Sequence, residues 1–258
     1  MIRFPKETLS KRALRLAPNF RIVTPEAADF GVGPYPTTIM MHGCGDQDGP
    51  QPGYARAAAL QGVASIIVDS YTSRQITKVE AAGLVCAGLR LWGRERAGDV
   101  LTALHWARQQ DFVDQDQLSL AGWSHGGWSV MDTLALGTEV GRHAGITDIE
   151  SNILDGVHAA FLVYPWCGAG AQTPSRGWIK PVRAFMLLAQ KDTVAGVRFP
   201  LRALAAAAKS GAKTASDIFP CATHSFDEEV TFNPTFRYDP KEAQRAMDYY
   251  GVWISQKA

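Results

Sequence analysis

A serine flanked by glycines carries the first chemical signal in the chain: Gly122-Trp123-Ser124-His125-Gly126, with an apolar run at residues 118–121 before it and a helical pattern at residues 127–136 after it. In that context the serine occupies a sharp strand-to-helix turn, and the flanking positions accept only residues without side chains. The hydroxyl is lifted clear of its strand. A hydroxyl is a weak nucleophile until a base removes its proton, and that base needs a carboxylate to hold its tautomer. Six histidines compete for the role. His105 falls inside a helical pattern, His125 belongs to the elbow, and His143 and His158 lie in or beside a polar connection. His42 follows an early strand, where it can shape an oxyanion site. His224 alone follows the last apolar run and precedes the C-terminal helix, so it is the expected base. Asp192, after the run at residues 182–188, is the expected carboxylate; Asp217, Asp227 and Asp155 are weaker choices because of where they fall relative to the strands.

A tetrahedral intermediate also needs two N–H donors where negative charge develops. One is expected from His125, the residue after the nucleophile. The other is expected from Cys44 in His42-Gly43-Cys44-Gly45, whose backbone follows a glycine that permits a tight turn. Cys44 or Cys221 could instead be proposed as nucleophile, but neither occupies an elbow. A zinc site of His42, Cys44, Cys221 and His224 lacks supporting carboxylates, so no metal is expected. Neither a phosphate-binding loop nor a dinucleotide fingerprint is present, and no cofactor is expected.

The elements that must position these groups read as short apolar strands alternating with helices: residues 37–41 then 54–61, 64–68 then 94–110, 118–121 then 127–136, 159–164, 182–188 then 198–209, and 215–219 then 240–254. Continuous apolar runs of that length belong to strands buried on both faces. The fold class is therefore α/β, a mostly parallel doubly wound sheet flanked by helices. One domain over residues 1–258 is expected, with residues 1–20 as an N-terminal extension in which Lys11 to Leu16 form a short surface helix. Ligands of such sheets bind beyond the carboxyl ends of the strands, and the reactive residues all follow apolar runs. Tyr71, Trp123 and Trp166 stand at those ends and are expected to line a substrate pocket. Trp178 is a weaker candidate, and Arg74 could hold a substrate carboxylate.

The whole chain has 46% hydrophobic and 20% charged residues, seven tryptophans and a net charge of +1. That balance excludes an electrostatic footprint for nucleic acid or an anionic membrane, and no segment is apolar enough to span one. Cys44, Cys86, Cys167 and Cys221 are scattered without a paired motif and are read as free thiols, which with the lack of a signal-like N-terminus predicts a cytoplasmic protein.

Taken together, HGCG after the first buried strand, DSYTSR after the next, GWSHGG at the elbow, QKD around the acid and THSFD around the base resemble the dienelactone hydrolase family of the α/β-hydrolase superfamily, over residues 37–228. The sequence departs from that family's pattern in having serine where its namesakes use cysteine. The resemblance implies an α/β-hydrolase fold and an esterase-like activity on a small-molecule ester or lactone. Only about 17 residues separate the strand after the nucleophile helix from the next one, too few for a separate cap domain. Residues 138–156 could form a partial lid or a plain surface loop. Two other readings remain: a prolyl-oligopeptidase-like peptidase, or a non-catalytic binding protein on the same scaffold.

Overall fold

Alternation along the strands explains why both sides of the sheet are covered. Ile39 and Met41, Ile66 and Val68, Leu118 and Leu120, Ala160 and Leu162, and Met186 and Leu188 enter one core cluster, packed with the helices Leu9–Leu16, Gly93–Ala107, His125–Leu136 and Arg198–Lys209. Met40, Ile67, Ala121, Phe161 and Phe185 point the other way, onto the helices Gln51–Ala59 and Pro240–Ile254. A strand buried on both faces has little room for polar side chains beyond small hydroxyls such as Thr37, Thr38, Ser65 and Ser119, which is why these runs read as near-continuous apolar segments.

The computed structural model describes residues 6–45, 48–229 and 233–256. Among them the strands are β1 (Arg21–Val23), β2 (Tyr35–Met41), β3 (Ala64–Val68), β4 (Val113–Trp123), β5 (Val157–Val163), β6 (Arg183–Ala189) and β7 (Lys213–Phe219). They form one sheet in the order β1-β3-β2-β4-β5-β6-β7. Edge strand β1 runs antiparallel to β3, and the remaining pairs are parallel. The chain reverses direction across the sheet between β2 and β4, so the loops after these strands meet at one crevice.

The elbow helix starts at His125, directly after the serine. Two expectations need correction. Strand β4 begins at Val113, well before residue 118, because its polar first half (DQDQ) is partly exposed and hides the apolar signal. Cys44 and Cys86 are joined in a disulfide, their Cα atoms 5.6 Å apart, while Cys167 and Cys221 are free thiols. Forty-two residues separate the bridged pair, and no local pattern reveals that the loop after β2 folds against the segment before the Gly93–Ala107 helix.

Candidate active site

Ser124 is held between the end of β4 and the start of its helix at φ 49° and ψ −114°, a conformation costly for a residue with a side chain. The flanking glycines have a steric cause. A Cβ on Gly122 would lie 2.6 Å from the backbone of Gly126 and Gly127, and one on Gly126 would collide with the carbonyl oxygens of Met41 and His42. The Ser124 backbone is fixed in turn: its N–H donates to Val163 O (3.0 Å), and its carbonyl accepts from Trp128 and Trp166 N–H, each at 3.1 Å. Ser124, Tyr164 and Ser225 are three of the five described non-glycine residues with positive φ, and all three line the same cavity.

His224 Nε2 lies 2.8 Å from Ser124 Oγ, and His224 Nδ1 lies 2.7 Å from Asp192 Oδ2. An ionised carboxylate only accepts, so Nδ1 carries the proton and Nε2 is left to accept from the serine hydroxyl. The other carboxylate oxygen of Asp192 accepts from Val194 N–H (2.7 Å) and Ala195 N–H (2.8 Å), which satisfies both oxygens. Tyr164 and Phe236 pack on the imidazole with centroids 4.7 and 5.1 Å away. The competing aspartates are engaged elsewhere. Asp227 is buried and accepts from Tyr54 and Tyr164 hydroxyls, with burial raising its pKa. Asp217 pairs with Arg245 on the edge strand, and Asp155 is exposed near Lys180.

Opposite the serine, the loop after β2 is anchored through the Gly43 carbonyl. It accepts from His42 Nδ1 (2.8 Å), Tyr71 Oη (3.4 Å) and Arg96 Nη1 (3.4 Å). His42 Nε2 in turn accepts from Ser70 N–H at 3.3 Å, which assigns its neutral tautomer; burial, reinforced by Arg96, holds its pKa well below the usual range. In a trans peptide the carbonyl and the following N–H point in opposite directions, so the Cys44 N–H faces away from this network. The first-turn N–H groups of the helix at His125 have no intrahelical acceptor and concentrate positive potential there. His125 itself is buried, and burial together with Arg96 pushes its pKa down to about 3.

Between these two walls lies a cavity of about 470 Å³, lined by Cys44, Ser124, His125 and His224 together with Val85, Cys86, Trp92, Trp123, Trp128, Tyr164, Trp166 and Phe236. Trp166 lines it. Trp123 contributes an edge but is 1% exposed and packs into the core against Tyr54 at 4.8 Å. Tyr71 does not line it; the hydroxyl bonds the Gly43 and Cys44 carbonyls instead. Arg74 is likewise turned away, in a bidentate pair with Asp99 at 2.6 and 2.9 Å, and Trp178 is buried with its indole donating to Thr173. Residues 138–156 contribute nothing to the cavity wall; Val140, Ala144, Ile153 and Leu154 are packed in the core. The cavity is roofed by residues 85–88 and bordered by Asn233 and Phe236.

Sequence reasoning missed Trp92 and Trp128, which meet at 6.0 Å in the cavity wall. Trp128 lies one turn after the serine, so its position was readable once the helix start was placed at His125. The roof offered no such signal, because residues 81–85 form a short π-helical turn without apolar periodicity. Among the described residues no group of three or more His, Cys, Asp or Glu is arranged to hold a metal, and no helix is long and apolar enough to cross a membrane.

A parallel sheet with a serine elbow at its crevice and a His–Asp pair from later strand ends defines the α/β-hydrolase fold. The same fold occurs in a Klebsiella pneumoniae protein named for dienelactone hydrolase (TM-score 0.67, 15% identity, 92% of each chain) and in a dienelactone hydrolase from Anabaena variabilis (TM-score 0.65, 15% identity, 92% of this chain and 91% of the other). It recurs in esterase 2 of Thermogutta terrifontis, solved with propionate bound (TM-score 0.63, 17% identity, 93% and 90%) and phosphorylated by paraoxon. The sequence model of the prolyl oligopeptidase family matches residues 85–152, which include the elbow. No curated protein matches the chain.

Proposed function

We propose that the protein is a serine hydrolase that cleaves a carboxylic ester or lactone of a small substrate through an acyl-enzyme. The observation that carries this reading is the unbroken Ser124–His224–Asp192 hydrogen-bond chain at the wall of an aromatic-lined cavity. Ser124 Oγ attacks the carbonyl carbon as His224 Nε2 takes its proton, and the carbonyl electrons move onto oxygen. The N–H groups of His125 and Cys44 receive that oxyanion. Collapse expels the alcohol, protonated by His224. Water then repeats the sequence on the acyl-enzyme, releasing the acid and regenerating Ser124. Asp192 holds the imidazole in its productive tautomer.

The fold shared with esterases and dienelactone hydrolases supports this chemistry. Among the described residues the cavity lining contains neither Lys nor Arg, and Glu228 lies at its border. An uncharged acyl group therefore suits the cavity better than one bearing a carboxylate. The Cys44–Cys86 bridge favours an oxidising compartment over the cytoplasm. A second reading, a peptidase, draws support from the prolyl oligopeptidase match.

The test is turnover of p-nitrophenyl acetate and butyrate, a neutral γ-lactone and an alanyl-prolyl anilide by the wild type and Ser124→Ala, beside fluorophosphonate labelling of both. Ester turnover and labelling that both vanish in Ser124→Ala support the reading. Anilide turnover far exceeding ester turnover would move it to a peptidase. An inert, unlabelled wild type would sink it.

A further inference from the structure

Arg96 is fully buried, yet no described carboxylate lies within ion-pair distance of it. Its three nearest polar partners are neutral: Ser70 Oγ accepts from Nε at 2.8 Å, and Nη1 reaches Gly43 O at 3.4 Å and His125 Nδ1 at 3.3 Å. Nη2 is buried without a hydrogen-bond partner. The neighbouring arginines differ. Arg12 and Arg74 are both within 4 Å of Asp99, and Arg12 also pairs with Glu7 at 2.7 Å. Taking a guanidinium out of water without a paired anion costs several kcal/mol, and a neutral side chain of similar shape would remove that cost. A fold that keeps the charge there needs it for something other than stability.

The position of the charge supplies the reason. Arg96 bridges two groups beside Ser124: the Gly43 carbonyl, whose trans peptide carries the Cys44 N–H, and the imidazole of His125, the residue whose own N–H opens the nucleophile helix. We propose that Arg96 is a positioning residue for the oxyanion site, orienting both N–H donors and placing a fixed positive charge behind them. This inference rests on the esterase reading above. The carboxylates that act on Arg96, Asp99 and Asp69, are already bonded to Arg74 and to the Tyr71 and Thr72 N–H groups, and the tetrahedral intermediate brings a further negative charge to this corner on the substrate oxygen. A buried cation aimed there stabilises the intermediate more than the bound ester, which lowers the barrier without tightening substrate binding. The DSYTSR segment also gains a role: Ser70 and Tyr71 hold Arg96 and the Gly43 carbonyl, and Arg74 fixes Ser70 O at 2.6 Å.

Arg96→Met, Arg96→Lys and Ser70→Ala, each checked for native folding by near-UV circular dichroism, separate this role from packing. With p-nitrophenyl butyrate, Arg96→Met is expected to lower kcat about 100-fold while KM stays within about threefold. Affinity for a trifluoromethyl ketone of the same acyl chain is expected to fall by a similar factor. Arg96→Lys, which keeps the charge and loses the fork, is expected to fall between wild type and Arg96→Met. Ser70→Ala is expected to lose about five- to tenfold in kcat. If Arg96→Met does not fold, the other two variants decide. Unchanged kcat and ketone affinity in every folded variant would overturn the proposal, as would a loss confined to KM. The rate of Ser124 labelling by a fluorophosphonate keeps the two readings separable: a wild type that is labelled but cleaves no ester fails as an esterase, while slower labelling of the Arg96 variants still upholds the positioning role.

Discussion

The two walls of the cavity are built on different plans. On one side, Ser124, His224 and Asp192 form a short linear chain in which every polar atom has a partner and the one carboxylate is closed off by two backbone N–H groups. On the other side, the Gly43–Cys44 peptide is held by a branched buried network of His42, Ser70, Tyr71 and Arg96, with Asp99 and Arg74 behind it and a disulfide fastening Cys44 to the roof. In the proposed reaction the first wall passes a proton between Ser124 and His224, while the second receives the charge of the oxyanion on groups locked by long-range contacts. Damage to the first should therefore cost rate alone, whereas opening the disulfide that ties down the second should cost rate and stability together.

The largest effects test the proton-moving wall. Ser124→Ala is expected to lower ester kcat about 10⁶-fold and Asp192→Asn about 10⁴-fold, with melting temperatures within about 3 °C of wild type by calorimetry. A large loss of stability in either variant would break the contrast. The opposite wall is tested by Cys86→Ser. Opening a 42-residue loop removes about 4 kcal/mol of stability, roughly 8 °C in melting temperature, and kcat is expected to fall about threefold to tenfold as the Cys44 amide loosens. Reduction of the wild type should reproduce both changes, and unchanged kcat in the reduced protein would detach the bridge from the oxyanion site.

Asp132 sharpens the contrast from within the nucleophile helix. Like Arg96 it is buried, but it can discard its charge: burial raises its pKa to about 7, and its carboxyl accepts the Gln172 N–H at 2.8 Å. The folded chain keeps a proton that the unfolded chain has lost between about pH 4 and pH 7, so stability falls as pH rises through that window. Asp132→Asn is expected to flatten this slope, gaining about 2–4 kcal/mol at pH 8 relative to its effect at pH 4, measured by urea unfolding at both pH values. Parallel pH profiles for the two proteins would refute it. The smallest effect belongs to the substrate: Trp166→Ala should raise KM for aryl esters about fivefold to tenfold, with kcat within about threefold.

What the sequence determined by itself was local. The strand-to-helix elbow follows from glycines that backbone crossing demands, and Asp192 and His224 each follow an apolar run, so their order and their edge of the sheet could be read without coordinates. Both-face burial made the parallel sheet legible in the same way. What only the tertiary structure decided were contacts between residues far apart in sequence. In sequence Arg96 is an unremarked helix residue, Tyr71 reads as pocket lining, Arg74 as a solvated surface residue that could hold a carboxylate, and Cys44 as a free thiol. Their roles depend on the loops after β2 and β3 packing against the Gly93–Ala107 helix. A periodic pattern records which face of an element is buried, but the partner across that face is set by how the whole chain closes on itself.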